Sequence, residues 1–159
     1  MVGCRLRAVQ DAAPSGLKCR SSQVYSGSDS NTGNAGGQFQ RWISYGALAD
    51  NSRVFFFAFE AADPRSLVRP TATLEEVVRG FNSDFQSAKN FTQLAQLSGG
   101  DYQRFTNPTG DACVAIRKLG DARSAGYKWY LVAGKCVAKG VSISEAEIAQ
   151  FMAVTGFRS

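Results

Sequence analysis

The sequence predicts a two-layer α+β domain: a four-stranded, mostly antiparallel sheet carrying two helices, in the order ββαββα. Three observations predict it. Residues 53–60 and 111–138 place apolar side chains at the two-residue period of strands. The segments that begin at Thr73 and Ser144 repeat apolar residues at three- and four-residue steps behind helix-start signals. Finally, 44% of the 159 residues are apolar and only 19% charged, with 11 Phe, 5 Tyr and 2 Trp, enough to build one hydrophobic core.

Residues 21–38 are almost entirely Ser, Gly, Asn, Asp and Gln, the composition of a flexible connection. Residues 1–38 are therefore expected to be a basic N-terminal segment with its linker, and 39–159 a single α+β domain. Within that domain, 39–48 reads as an aromatic-rich strand and Ala49-Asp50-Asn51-Ser52 as a turn. In 53–60, Phe55, Phe57 and Phe59 share one face and Val54, Phe56 and Ala58 the other. A strand apolar on both faces belongs inside a sheet, covered on both sides.

After Pro64 and Pro70, Thr73 with Glu76 forms a capping box. Leu74, Val77, Val78, Phe81, Phe85, Ala88, Phe91 and Ala95 continue the stripe of one long helix, which Ser98-Gly99-Gly100 ends. A loop holding Tyr102, Phe105 and Asn107-Pro108 leads to a hairpin of 112–119 with 127–138, turning within 120–126. The last helix starts at Ser144, with Glu147 completing a second capping box, Ile143 and Ile148 in staple positions, and Gly156 as its stop.

The four cysteines, Cys4, Cys19, Cys113 and Cys136, form no C-x-x-C pair, which removes zinc-ribbon and thioredoxin readings. Pairing Cys113 with Cys136 across the hairpin centres its turn between residues 124 and 125, inside the predicted turn. Opposed cysteines on antiparallel strands meet disulfide distance limits. The second pairing would be Cys4 with Cys19. Disulfides imply an oxidising compartment, so a periplasmic or secreted protein is expected. Met1-Val2-Gly3-Cys4 lacks the charged start and apolar stretch of a signal peptide, so either the chain is expected to be a mature or truncated form or the export reading is wrong. The small residues before Cys4 resemble the tail of a bacterial lipobox; a lipid anchor on Cys4 would leave Cys19 to another partner. No apolar run is long enough for a transmembrane segment.

Net charge is +5, and residues 111–140 hold a local +4 from Arg117, Lys118, Arg123, Lys128, Lys135 and Lys139 against Asp111 and Asp121. Tyr127-Lys128-Trp129-Tyr130 interleaves aromatics with these cations, the composition that stacks on rings while holding anionic groups. The candidate binding residues are Arg117, Lys118, Arg123, Tyr127, Lys128, Trp129, Tyr130 and Lys135. Alternation supplies a plainer reading, with Tyr127, Trp129 and Leu131 on one face and Lys128, Tyr130 and Val132 on the other, as core positions of a strand.

The chain contains no histidine, which removes Ser-His-Asp and Cys-His catalysis and histidine-ligated zinc. No metal or cofactor motif stands in context, and Ser15-Gly16-Leu17-Lys18 matches S-x-x-K without a following K-T-G. The one acid attached to a strongly apolar strand is Glu60, near Asp63. The sequence therefore points to a non-catalytic exported interaction domain, binding an envelope protein or an anionic glycan or lipid surface through the hairpin. A small hydrolase using Glu60 with Asp63 or Asp101, and a basic nucleic-acid-binding module, are the alternatives. Exported disulfides fit poorly with nucleic-acid work.

Overall fold

The computed structural model describes residues 5–6, 18–25, 37–47, 51–62, 66–68, 70, 72–97, 99–123 and 126–157. Among them, seven strands form one all-antiparallel sheet: β1 (Lys18–Tyr25), β2 (Gln38–Ala47), β3 (Arg53–Ala61), β4 (Ala95–Leu97), β5 (Gly100–Thr106), β6 (Ala112–Arg123) and β7 (Gly126–Val137). Two helices accompany it, α1 (Leu74–Phe81) and α2 (Glu145–Val154). The spatial order is β1-β2-β3-β7-β6-β5-β4. The chain thus lays down two meanders, β1-β2-β3 and β4-β5-β6-β7, and joins them along one antiparallel seam between β3 and β7.

The expected four-stranded, two-layer ββαββα domain is corrected on two counts. The sheet has seven strands, and the helices lie on opposite faces of it rather than in one layer. Leu74, Val77 and Val78 of α1 share a core with Phe55, Phe59, Tyr130 and Val132. Ile148, Phe151 and Met152 of α2 share a separate core with Val54, Phe56, Leu131 and Ala133. Neighbouring residues of β3 and β7 divide between these cores, as the two-residue alternation of a strand requires. The doubly apolar β3 is thereby covered on both sides.

The additional strands come from segments with no strand-like pattern. The long helix expected to run to Ala95 stops at Phe81. Gly80 weakens it, and Asn82 leaves helical geometry with φ −161° and ψ 179°. The Asn82 side chain accepts the backbone N–H of Asp84 at 2.9 Å, a local bond that competes with another helical turn. Phe85 and Ala88 still enter the core beneath α1, carried there by turns, and Lys89 pairs with Thr106. Residues 95–97 then form β4, and the Gly99 region turns the chain into β5 instead of ending a helix.

β5 was hidden because Tyr102 faces the α2 core while Phe105 faces the α1 core, so its hydropathy never alternates. β1, Lys-Cys-Arg-Ser-Ser-Gln-Val-Tyr, is an edge strand held by continuous pairing with β2 from Lys18↔Tyr45 to Tyr25↔Gln38.

The helix-start signals behave as their chemistry dictates. At α1 the Thr73 hydroxyl accepts the N–H of Glu76 at 3.1 Å, and the Glu76 carboxylate accepts the N–H of Thr73 at 3.2 Å. At α2 the Ser144 hydroxyl caps Glu147 N–H, but the Glu147 carboxylate takes the Ser144 hydroxyl rather than its backbone. Thr155, one residue before the expected stop, caps the other end. There Lys118 donates to the carbonyls of Met152 and Thr155 at 2.8 and 2.7 Å, placing a cation on the negative end of the helix.

Candidate functional site

A cleft of about 460 Å³ opens at the end of the sheet where β2 finishes and β3 begins. Four separate segments build it. β2 and β3 contribute Tyr45 and Arg53, the turn after α1 contributes Asp84 and Phe85, the β5–β6 connection contributes Asn107, Thr109 and Asp111, and β7 contributes Cys136.

The aromatic floor extends into the α1 core. Phe85 lies with its ring centre 4.8 Å from that of Phe55 and meets Tyr45 edge-on at 6.1 Å.

The polar wall is wired locally. The Tyr45 hydroxyl donates to Asp84 Oδ2 at 2.8 Å and accepts from Arg53 Nη1 at 3.3 Å. Burial raises the Tyr45 pKa above that of an ordinary phenol, and donation to Asp84 raises it further. The bond to Tyr45 holds Arg53 more firmly protonated. On the facing side, Asn107 Oδ1 accepts the N–H of Asp111 at 2.9 Å and the Thr109 hydroxyl at 2.7 Å, an Asx-type turn. Asp111 Oδ2 accepts from both Asn107 and Thr109.

Cys136 lines the cleft and is bonded to Cys113 across the β6–β7 ladder. The two cysteines are register partners in the β6–β7 ladder, with Cα atoms 4.1 Å apart, as the hairpin centring required. Cys19 is also disulfide-bonded. Cys4, with the lipid anchor proposed on it, lies outside the described residues. A disulfide of this kind is consistent with an oxidising environment. No helix among the described residues is long and apolar enough to cross a membrane.

The hairpin does not gather its eight candidate binding residues into one patch. Tyr130 is fully enclosed in the α1 core. Trp129 packs on the other face, against Phe157 at 5.6 Å and over Gly120, where a Cβ would overlap its ring. Arg117 pairs with Asp101 at 2.7 Å, and Lys118 is the cation at the end of α2. Tyr127 exchanges backbone hydrogen bonds with Val68. Arg123 ends β6, where its backbone pairs with Gly126. Lys128 and Lys135 remain half-exposed, seven residues apart and on opposite faces of β7.

Nor are Glu60 and Asp101, one pair of the hydrolase reading, brought together. Glu60 accepts a forked pair of bonds from Arg5, at 2.8 Å from Nε and 2.6 Å from Nη2. Glu60 shares the face of Ala58 and the α2 core, whereas Asp101 stands opposite Arg117 and Val132 on the α1 face. Asp63 lies outside the described residues. Among the described residues no group of three His, Cys, Asp or Glu side chains could hold a metal ion. No family model, curated protein or solved structure matches the chain.

Sequence reasoning missed the cleft because its residues stand far apart and each has an ordinary local explanation. Arg53 opens a strand, Asp84 follows a helix and Asp111 precedes a hairpin. Asn107-Pro108-Thr109-Gly110-Asp111 was the one legible clue, being a turn rich in side-chain oxygens.

Proposed function

We propose that this chain is an exported, non-catalytic binding domain, periplasmic or secreted, that meets its ligand in the cleft between β2, β3 and the β5–β6 turn. One observation carries the reading. Three charged groups from three segments, Arg53, Asp84 and Asp111, converge on a single concavity also lined by the disulfide-bonded Cys136. Concave sites with an apolar floor and a few convergent polar groups are where small ligands bind. The disulfide supports the exported part of the reading. The hairpin supports a contact surface less well, because its cations are spread over two faces and two of them are bonded internally.

The test is intact mass of the protein isolated from its native host, with free thiols blocked at lysis and measured before and after reduction. The expected result is protein from the periplasm or medium with no blocked thiols. Cytosolic protein with four blocked thiols would overturn the exported reading.

A further inference from the structure

We propose that the cleft binds a free α-amino acid, its carboxylate on Arg53 and its ammonium on Asp84 and Asp111. This rests on the cleft being the binding surface, and it names the ligand class. The charges lining the cleft are of both signs, yet they are not paired with one another. The ion pairs among the described residues are Arg5–Glu60, Arg79–Glu75 and Arg117–Asp101, and none involves a cleft residue. The Tyr45 hydroxyl stands between Arg53 and Asp84, bonded to both, and keeps guanidinium and carboxylate one hydroxyl apart.

Each group therefore keeps unused capacity. Arg53 spends one of its five N–H donors on Tyr45. Asp84 and Asp111 each spend Oδ2 on neighbours and leave Oδ1 unbonded. The opposite charges are close enough for one small molecule to touch both. A carboxylate and an ammonium on the same carbon would reach Arg53 and Asp84 from either side of the Tyr45 hydroxyl that bonds both, with Asp111 lining the same cleft. The net charge of the three lining groups is negative, so a plain anion is disfavoured. A plain cation would leave Arg53 facing it. The zwitterion satisfies both signs, with Phe85 and Cys136 left to meet its side chain.

The experiment is a titration of the oxidised, full-length protein followed by amide chemical shifts. The probes are a panel of free L-amino acids at millimolar concentration, with N-acetyl-L-alanine and L-alaninamide, each of which lacks one of the two charges. The expected result is saturable shifts at Tyr45, Asp84 and Thr109 with at least one free amino acid. The two blocked forms should bind roughly tenfold more weakly or worse, as loss of one charge-assisted contact implies. Arg53→Gln should erase the preference for acid over amide, and Asp84→Asn with Asp111→Asn the preference for free over acetylated amine. Saturable binding of the blocked forms as tight as the free ones would overturn the ligand class. A panel that leaves the cleft resonances unmoved would overturn it too. Neither result bears on export, which the thiol-blocked mass decides separately.

Discussion

The two faces of the sheet are built from different materials. Beneath α1 the core is aromatic: Tyr45, Phe81, Phe85 and Phe55 interlock with ring centres 4.8–6.2 Å apart, and Phe105 extends the chain to a stacked Phe91. Beneath α2 the balance shifts toward aliphatics, with Val54, Val114, Ile116, Leu131, Ile143, Ile148 and Met152 outnumbering Trp42, Phe56, Tyr102 and Phe151. The disulfide and the cleft both belong to the aromatic face. Large flat rings reach from the core to the rim with few rotatable bonds, so this face can hold a concavity open at its edge.

The largest contrast should appear on emptying each core. Phe59→Ala removes a fully buried ring from the aromatic face and should cost about 3–5 kcal/mol. Ile148→Ala on the other face should cost about 2–4 kcal/mol. Urea unfolding of both variants checks the order, and an Ile148 variant less stable than the Phe59 variant would break it.

A finer comparison uses two glycines that lie under cross-strand aromatic rings. Gly134 faces Phe55 on the aromatic face, and Gly120 faces Trp129 on the aliphatic one. A methyl at either would overlap the ring. Phe55 is 1% exposed and locked among other rings, whereas Trp129 is only partly buried and can swing outward. Gly134→Ala should therefore cost about 2–3 kcal/mol and Gly120→Ala about 1 kcal/mol or less. Thermal unfolding of the two variants measures the difference, and equal losses would show that the faces yield alike.

The smallest effect concerns pH at the rim of the aromatic face. The Tyr45 pKa is raised in the folded protein, so the fold favours the neutral phenol. That stability is complete below the unfolded pKa of about 10 and is lost as pH rises through the higher folded value. Tyr45→Phe should leave neutral-pH stability within about 1 kcal/mol of the parent and make its decline above pH 10 shallower. Unfolding curves between pH 8 and 11 test this, and parallel declines would contradict it.

How much of this was legible in sequence depended on whether the signal was local. The Thr73 cap, the two faces of β3 and the pairing of Cys113 with Cys136 each rest on residues close in sequence or on a countable register, and each stands in the structure. The stretch 82–106 misled, because Phe85, Ala88 and Phe91 keep helical spacing while serving one core from turns. Spacing records which residues are buried; it does not record that Asn82 and Asp84 divert the backbone. β5 sends Tyr102 and Phe105 to different cores and so shows no period. The cleft was illegible because four segments meet there only after the sheet closes along β3 and β7.

The central claim is that the sheet separates two cores and that the Cys113–Cys136 disulfide belongs to the aromatic one. Side-chain NMR of the parent and of a Cys113→Ser, Cys136→Ser double variant, which leaves the separate disulfide of Cys19 in place beside the aliphatic core, tests it most directly. Ring signals of Phe55, Phe85 and Phe105 report the aromatic face, and methyl signals of Ile116, Ile148 and Met152 report the aliphatic one. Opening Cys113–Cys136 should shift and broaden the first set while the second stays near its original positions. Equal changes in both sets, or joint collapse of both, would contradict the separation.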